Sequence, residues 1–230
     1  MNLTIGVLEG GGVAPVFASH FSSFTESFRR FLAPDGSGPE LRPYRCYQGE
    51  FPDAADTCDG WLITGSAASV YDGDDWISQL EAFVRSASEN RPVVGICFGH
   101  QLIGQAFGGT VEKAPGWGIG VHRHDIIAPG APVDHLELLA SHQDQVISPP
   151  SEAQVLGGSE FCPIGAMSIG RNVLSIQNHP EMTKIFAADL YQNRRPVMGD
   201  AIVDAALSSL DRSTNEADAR TWILDHVYRT

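Results

Sequence analysis

The stretch that decides the fold is residues 91–101, which read RPVVGICFGHQ. Its first half is a short apolar run, typical of a buried strand. Its second half places Cys97 between Gly95 and Gly99. Gly-x-Cys-x-Gly between a strand and a helix has the form of a nucleophile elbow, whose tight turn lifts the nucleophile above the carboxyl end of the sheet. The helix dipole would favour the thiolate, and the Phe98 N–H would point towards an oxygen held beside the sulfur.

Strand and helix patterns alternate on both sides of this stretch. The predicted strands are residues 2–8, 44–47, 61–64, 92–96 and 173–177, and the predicted helices are residues 13–32, 74–86 and 98–107. Such alternation builds a parallel sheet with helices on both faces. Turn residues and short β-prone segments in residues 110–127, 136–140 and 153–169 predict an antiparallel extension. We therefore expect an α/β fold with a mostly parallel open sheet, helices on both faces and an antiparallel β extension.

The end of the chain predicts helices. Residues from 184 onwards read as two or three helices, broken near Pro196 and Ser213. Neither an internal repeat nor an obvious linker interrupts the sequence, so we predict a single domain over residues 1–230.

A cysteine nucleophile needs a base, and the base needs an acceptor that orients it. Among eight histidines, only His179 directly follows a buried strand and has a carboxylate two residues on, within QNHPE, residues 177–181. Residues i and i+2 of an extended backbone project to the same side, so Glu181 can lie beside the imidazole. Taken alone, the tripeptide His-Pro-Glu would be interpreted as a surface loop, and Cys97 alone as a packing residue.

Composition and charge limit the classes of function. The formal net charge is −13, which disfavours binding to nucleic acid or to anionic membranes. The first twelve residues, MNLTIGVLEGGG, lack the basic and long apolar regions of a signal peptide. Four scattered cysteines without a C-x-x-C pair favour a reducing setting, so we expect a cytoplasmic protein in which Cys97 is a free thiol.

We expect neither a metal nor a cofactor. His122 and His124 have the spacing i, i+2, but no acidic or thiol partner is patterned nearby, so a solvated strand face is the interpretation we prefer. His100, inside the helix after the elbow, is predicted to be a packed structural histidine. The glycine cluster at residues 10–12 lacks the spacing of a phosphate-binding loop and predicts a turn near the mouth of a substrate site.

Four motifs carry a resemblance to a known family. GICFGHQ and QNHPEM, residues 95–101 and 177–182, together resemble the class I glutamine amidotransferases, whose glutaminase domains use a Cys–His–Glu triad. LITGSAASVYD, residues 62–72, is similar to the oxyanion loop of that family, and ASHQDQV, residues 140–146, is similar to its S-H-x-D-x-V segment.

The resemblance covers a core of about residues 2–187 and leaves about residues 188–230 as extra C-terminal helices. It implies the flavodoxin-like fold of class I glutamine amidotransferases, which is consistent with the mostly parallel sheet predicted above.

The resemblance also assigns roles. It implies that Cys97 is the nucleophile, His179 the base and Glu181 its orienting acceptor. It implies that backbone N–H groups of Phe98 and of the turn at Gly65 and Ser66 hold the oxyanion, and that the substrate is bound by Gln101, Ser141, Gln143 and Asp144. Ser66 stands where the family often has glycine, which raises the question of its backbone angle.

The activity implied by the resemblance is attack of the Cys97 thiolate on the side-chain amide of glutamine. The step forms a γ-glutamyl thioester and releases ammonia. We expect a free-standing hydrolase that resembles the glutaminase part of GMP synthase and acts on glutamine or another γ-glutamyl compound.

Two alternatives stay open in the sequence. The first is a γ-glutamyl peptidase, which would need a wider mouth around residues 141–144. The second is a non-catalytic regulatory subunit that docks on a synthase. A synthase subunit that accepts the ammonia is a possible partner under the leading hypothesis, and the sequence names neither the acceptor nor the oligomeric state.

Overall fold

The computed structural model describes residues 3–128, 131 and 133–229. Its strands are β1 (Thr4–Leu8), β2 (Glu40–Tyr44), β3 (Gly60–Ile63), β4 (Val93–Ile96), β5 (Thr110–Ile126), β6 (His135–Ser148), β7 (Ala153–Gly158), β8 (Ala166–Ile169) and β9 (Val173–Ile176). Its α-helices are α1 (Phe24–Leu32), α2 (Asp75–Ser88), α3 (Phe98–Ala106), α4 (Lys184–Met198), α5 (Asp200–Ser209) and α6 (Glu216–Tyr228).

All nine strands join one curled mixed sheet in the order β2-β1-β3-β4-β9-β8-β7-β5-β6. Strands β2, β1, β3, β4 and β9 are parallel to one another, and the remaining pairings are antiparallel. The predicted fold class, a mostly parallel sheet with an antiparallel extension, is confirmed. Because β3, β4 and β9 are neighbours and parallel, the loops after their carboxyl ends meet at one edge of the sheet.

Helices cover both faces of the parallel part. Helices α1 and α6 pack on one face, where Phe28 and Ile223 join a core that includes Val94 and Ile176. Helices α2 and α3 cover the other face around Trp61, which is fully buried. Helices α4 and α5 instead pack against the long hairpin of β5 and β6. The C-terminal segment that the family motifs do not reach therefore contributes to three of the hydrophobic clusters.

The helix predicted over residues 13–32 is wrong in its first half. The structure has a short 3₁₀ turn at Pro15–Phe17, and α1 begins only at Phe24. Ser23 caps α1 by accepting a hydrogen bond from the N–H of Glu26, and such a cap fixes where a helix starts. The helix-like spacing of apolar residues misled the prediction, because Phe17 is buried by an irregular segment rather than by a helix.

One other boundary differs from the sequence interpretation, and another agrees with it. The second strand ends at Tyr44 and is followed by a 3₁₀ turn at Cys46–Gln48, so the strand predicted at residues 44–47 lies too late. Pro43 belongs to this edge strand, where the missing N–H costs no ladder bond. Helix α4 runs through Pro196 and ends two residues later at Met198, so the break lies near the predicted position. It is followed by Gly199, whose φ of 91° is suited to glycine. Asn2, predicted to begin the first strand, lies outside the described residues.

Within the described ranges, none of the helices combines the length and the apolar character that crossing a membrane requires.

Candidate active site

The elbow that the sequence predicts at Cys97 is present between β4 and α3. Cys97 has φ 54° and is the only non-glycine residue with positive φ among the described residues. A Cβ on Gly95 would lie 2.5 Å from the Gly99 carbonyl oxygen, and one on Gly99 would lie 2.6 Å from the Ile63 oxygen. Both glycines are therefore required by close backbone contacts. A cysteine held in this conformation stores on the order of 1–3 kcal/mol of strain, which the surrounding structure must offset.

His179 and Glu181 form a buried pair after β9. Nδ1 of His179 lies 2.8 Å from Oε1 of Glu181. The backbone N–H of His179 donates to the Leu139 carbonyl oxygen at 2.7 Å, and the backbone carbonyl oxygen of Glu181 accepts from the Ser27 hydroxyl at 3.1 Å. The side chains of His179 and Glu181 are only 8% and 5% exposed. The expectation that residues i and i+2 would bring this carboxylate to the ring is confirmed, and Nε2 is left to face away from Glu181.

The imidazole and the elbow approach each other across Gly65. A Cβ on Gly65 would lie 2.9 Å from Cε1 of His179 and 3.8 Å from the Cβ of Cys97. Burial by itself lowers the pKa of His179, but the charges of Glu181 and Cys97, together with hydrogen bonds to both, raise it well above its ordinary value. The ring is therefore suited to hold a proton beside the sulfur.

The loop after β3 contacts the glycine cluster near the N-terminus. The Ser66 hydroxyl donates to the Gly10 oxygen at 2.6 Å and accepts from the Ala68 N–H at 3.0 Å. Since Ser66 is not among the described residues with positive φ, serine replaces the family glycine without backbone strain. Phe98, the first residue of α3, stacks on Trp76 with ring centroids 5.5 Å apart. The glycines at residues 10–12 line a chamber that also borders His179.

A small cavity of about 190 Å³ lies beside Cys97. Its walls include Cys97, Ser66 and all four residues predicted to bind substrate, namely Gln101, Ser141, Gln143 and Asp144. The cavity thus brings together residues that the resemblance identified from three separate motifs.

All four side chains already make hydrogen bonds within the protein. The Gln143 amide donates to the Ala114 oxygen at 3.2 Å, and the Ser141 hydroxyl accepts from Arg194 at 3.4 Å. The Gln101 amide donates to the Asp144 carbonyl at 2.7 Å and to Oε1 of Gln177 at 3.2 Å. The Asp144 carboxylate accepts from the hydroxyls of Ser69 and Tyr71. The contacts of Gln101 and Asp144 join α3 and the loop after β3 to strand β6, so both residues fix the shape of the cavity.

A larger chamber of about 430 Å³ lies beside His179. Its walls are mostly apolar and aromatic, and they include Val13, Phe17, Phe21, Phe24, Tyr47, Trp76, Met182, Phe186 and Leu190. It shares Ser66, Ala67, Ala68, Ser141 and Arg194 with the small cavity. The two spaces therefore meet along one boundary.

Sequence reasoning gave no site role to Lys113, Trp117 or Arg194. Lys113 and Trp117 line the small cavity, and Arg194 lines both spaces. A signal for the third was available: Phe186, Leu190 and Arg194 are spaced four apart, which places them on one face of α4.

Several other histidines and cysteines are buried and have pKa values that burial shifts away from their ordinary range. His100 is fully buried, with Nδ1 2.9 Å from the Ser175 hydroxyl, as predicted, and burial lowers its pKa to about 3. His124 is also buried and its pKa is lowered by burial to about 4, so the expectation of a solvated strand face is wrong for this residue. Burial raises the pKa of the Cys46 and Cys162 thiols to about 12, which keeps both protonated.

The four cysteines are all free and buried. In the part of the chain that the structure describes, His, Cys, Asp and Glu side chains form no group of three that could hold a metal ion.

Comparisons with known proteins agree with this geometry. The family model "Glutamine amidotransferase class-I" matches residues 18–189. The chain therefore belongs to the class I glutamine amidotransferase family.

Individual relatives carry two kinds of name. The chain is 32% identical over 201 residues to γ-glutamyl peptidase 4 of Arabidopsis thaliana, covering 80% of this chain and 79% of that protein. It is 34% identical over 129 residues to the glutamine-hydrolysing GMP synthase of Aeropyrum pernix, covering 54% of this chain and 24% of that protein.

Among solved structures, a glutamine amidotransferase from Thermotoga maritima superposes with a TM-score of 0.76 at 14% identity, over the full length of both chains. At that identity the likeness concerns the fold alone.

Proposed function

We propose that the protein is a cysteine hydrolase that cleaves γ-glutamyl amides, with glutamine as the smallest substrate. In this proposal Cys97 is the nucleophile, His179 is the acid and base, and Glu181 orients the imidazole. The observation that carries it is the 2.8 Å pair of His179 and Glu181 beside an elbow cysteine, across a glycine that leaves no space for a side chain. A nucleophile, a base and an acceptor for the base are the parts that covalent amide hydrolysis needs.

The reaction would proceed in two halves. The Cys97 sulfur bonds to the carbonyl carbon of the γ-amide, and the imidazolium gives its Nε2 proton to the departing nitrogen as the C–N bond breaks. Glutamine thereby yields ammonia and a γ-glutamyl thioester. Water then attacks the thioester carbon, His179 accepts a proton from the water, and the C–S bond breaks. Glutamate leaves, and the thiolate and imidazolium are restored.

Backbone N–H groups would hold the oxyanion in both halves. The donors we propose are the N–H of Phe98 and one from the turn at Gly65 and Ser66. None of the described residues accepts a hydrogen bond from these three N–H groups, so they stay available to a ligand. Losing one such donor typically costs roughly 3 kcal/mol of transition-state stabilisation.

The small cavity would bind the amino-acid end of the substrate. Ser141 and Gln143 would contact it, while Gln101 and Asp144 would act by holding strand β6 and the loop after β3 in place. A few precisely placed polar groups fix the orientation of a bound ligand, and the wall of this cavity supplies such groups.

A γ-glutamyl peptidase is the second candidate, and two observations favour it over a glutaminase restricted to glutamine. Ammonia needs little space, yet a chamber of about 430 Å³ borders His179. Relatives that align over most of their length carry the name γ-glutamyl peptidase. A synthase subunit that accepts ammonia and a cytoplasmic location stay predictions from the sequence.

The direct test is glutamate release from glutamine by wild type and by Cys97→Ala. We expect Cys97→Ala to lose at least about 10³-fold in kcat, because the nucleophile is removed. The matched control is Cys162→Ala, which removes another buried thiol, and we expect its rate within about twofold of wild type. Equal rates in wild type and Cys97→Ala would remove the cysteine from the mechanism.

Labelling gives a second, independent measurement. A glutamine-analogue alkylator should modify Cys97 alone, as read by peptide mass spectrometry. If Cys97 stays unmodified in folded protein, the non-catalytic subunit becomes the better account.

A further inference from the structure

The two spaces at the site border different members of the proposed catalytic pair. Cys97 lines the small cavity and His179 lines the large chamber. The acyl carbon must meet the sulfur, and the departing nitrogen must meet the imidazole that protonates it. The acyl part of a substrate therefore belongs in the small cavity, and whatever is attached to the nitrogen belongs in the chamber.

The chamber is built for an apolar group. Phe186 packs edge-on against Phe17 and Phe21, with ring centroids 5.5 and 4.8 Å away, and Phe24 lies beside Phe21 at 5.9 Å. Its volume of about 430 Å³ falls in the ordinary range for small-molecule pockets, whereas a molecule the size of water or ammonia occupies roughly 30 Å³ in the liquid. Aromatic walls of this extent stabilise an apolar ligand by removing its surface from water.

One cation stands at the boundary of the two spaces. The Arg194 guanidinium donates to the Ser141 hydroxyl at 3.4 Å, and Ser141 also lines both spaces. The next residue, Arg195, pairs with Asp200 and Asp204 at 3.1 and 2.8 Å. No ion pair between described residues includes Arg194, although the chain carries 28 acidic residues.

Partial burial without a carboxylate partner destabilises the charged form of the Arg194 guanidinium. Burial lowers the pKa of Arg194, and the opposing effects come from Cys97 and Tyr191 rather than from a carboxylate. A partly buried guanidinium with free donors is a receptor for a carboxylate, which it can bind in a bidentate way.

We propose that the chamber binds the leaving group of γ-glutamyl peptides, an apolar amino acid whose side chain packs on the aromatic wall and whose carboxylate pairs with Arg194. The proposal rests on the hydrolysis proposed above and names its substrate class. Arg194 lies beyond residues 18–189, which the family model matches, so this receptor belongs to the chain's own C-terminal helix.

The products follow from the same two-step chemistry. The peptide C–N bond breaks, the imidazolium proton goes to the nitrogen, and the free α-amino acid leaves through the chamber. Water then releases glutamate from the sulfur. One water is consumed for each bond cleaved.

Binding tests the proposal without catalysis. Isothermal titration of Cys97→Ala would compare γ-glutamyl-phenylalanine, γ-glutamyl-phenethylamine and glutamine, which carry an apolar group with a carboxylate, an apolar group alone, and neither. We expect γ-glutamyl-phenylalanine to bind about 10- to 100-fold more tightly than γ-glutamyl-phenethylamine, and glutamine to bind most weakly. Equal affinity for the two apolar compounds would overturn the role of Arg194.

Steady-state rates of the active enzyme test whether the carboxylate of the leaving group pairs with Arg194. Arg194→Met should lower kcat/KM for γ-glutamyl-phenylalanine at least tenfold more than it lowers kcat/KM for γ-glutamyl-phenethylamine or glutamine. Arg194→Lys should recover part of the loss, because it keeps the charge without the fork. Arg195→Met is the matched control, since it removes the neighbouring cation of α4 outside both spaces. A loss of equal size for all three substrates would place the glutamyl carboxylate on Arg194 and overturn the proposal.

A third variant tests the chamber itself. Ala14 is exposed at the chamber wall, so Ala14→Trp should fold and obstruct the chamber. We expect it to lower turnover of both apolar substrates at least tenfold and to spare glutamine. Should wild type hydrolyse glutamine but neither bind nor cleave the apolar compounds, the leaving-group proposal fails and the hydrolase proposal stands. Binding of γ-glutamyl-phenylalanine without turnover of any substrate would instead sink the hydrolase proposal.

Discussion

The cavity beside Cys97 and the chamber beside His179 differ in size, polarity and origin in the chain. The cavity is small and is built mainly from the elbow, the loop after β3 and strand β6, which are segments with family motifs. Lys113 and Trp117 of β5 and Arg194 of α4 complete its wall. The chamber is more than twice as large, and it is lined by aromatic residues before α1 and by one face of α4. The polar cavity is thus suited to the γ-glutamyl group, which all substrates of the proposed reaction share. The chamber is suited to the leaving group, which varies between substrates.

This contrast predicts that variants at the elbow and the base should affect all substrates, whereas variants in the chamber should affect only some. The reason is that the acyl part and its thioester are common to every γ-glutamyl substrate. The next four predictions probe the shared part, in decreasing order of expected effect.

Glu181→Gln should have the largest effect. The amide cannot stabilise the imidazolium as the carboxylate does, so kcat should fall on the order of 10³-fold for every substrate. The carboxylate also helps to raise the pKa of His179, so its removal should move the alkaline limb of the pH–rate profile to lower pH. Steady-state rates across pH would measure both effects.

The matched control for this variant is the exposed Glu152→Gln, which should behave as wild type. An unchanged alkaline limb in Glu181→Gln would show that this carboxylate does not set the protonation of the base.

Gly65→Ala should have the next largest effect. The new Cβ would lie 2.9 Å from Cε1 of His179, so the ring must move away from its place beside Cys97. A displacement of this kind costs about 10²-fold in kcat. In the control, Gly116→Ala, the new Cβ meets only Phe161 at 3.7 Å. Retention of full activity in Gly65→Ala would mean that the ring tolerates displacement.

Ser66→Ala should lower kcat/KM about tenfold. It removes the donor to the Gly10 oxygen and the acceptor for the Ala68 N–H, and the loop that presents a proposed oxyanion donor loses both ties. Rates with glutamine and γ-glutamyl-phenylalanine should fall together, and the exposed Ser151→Ala should leave them unchanged. A loss confined to one substrate would argue that Ser66 acts through the chamber.

Tyr191→Phe should have the smallest effect and act on stability. The buried hydroxyl donates to the Ala140 oxygen at 2.6 Å and holds α4 against β6, next to Ser141. Its removal should lower the free energy of unfolding by about 1 kcal/mol, measured by chemical denaturation. Tyr228→Phe, half exposed near the C-terminus, is the control and should change stability little. A neutral Tyr191→Phe would show that packing alone holds α4 in place.

Local sequence determined the parts of this protein that depend on short-range geometry. Glycines on both sides of Cys97 predicted the elbow, because only glycine permits the backbone contacts at 2.5 and 2.6 Å. The spacing of His179 and Glu181 predicted their contact, because residues two apart in extended backbone share a side. The alternation of strands and helices predicted the sheet, because parallel strands need helical connections.

Tertiary structure decided what depends on distant segments meeting. The chamber needs aromatic residues before α1 to pack against Phe186, which follows more than 150 positions later, and no local periodicity encodes that contact. The role proposed for Arg194 also depends on tertiary structure. Arg195 forms ion pairs with carboxylates in the fold, whereas Arg194 forms none with the described residues. Periodicity also misread residues 13–32, since an irregular segment buries Phe17 as a helix would. Burial and charge pairing depend on which distant residues become neighbours in the folded chain, so they cannot be read from the local sequence.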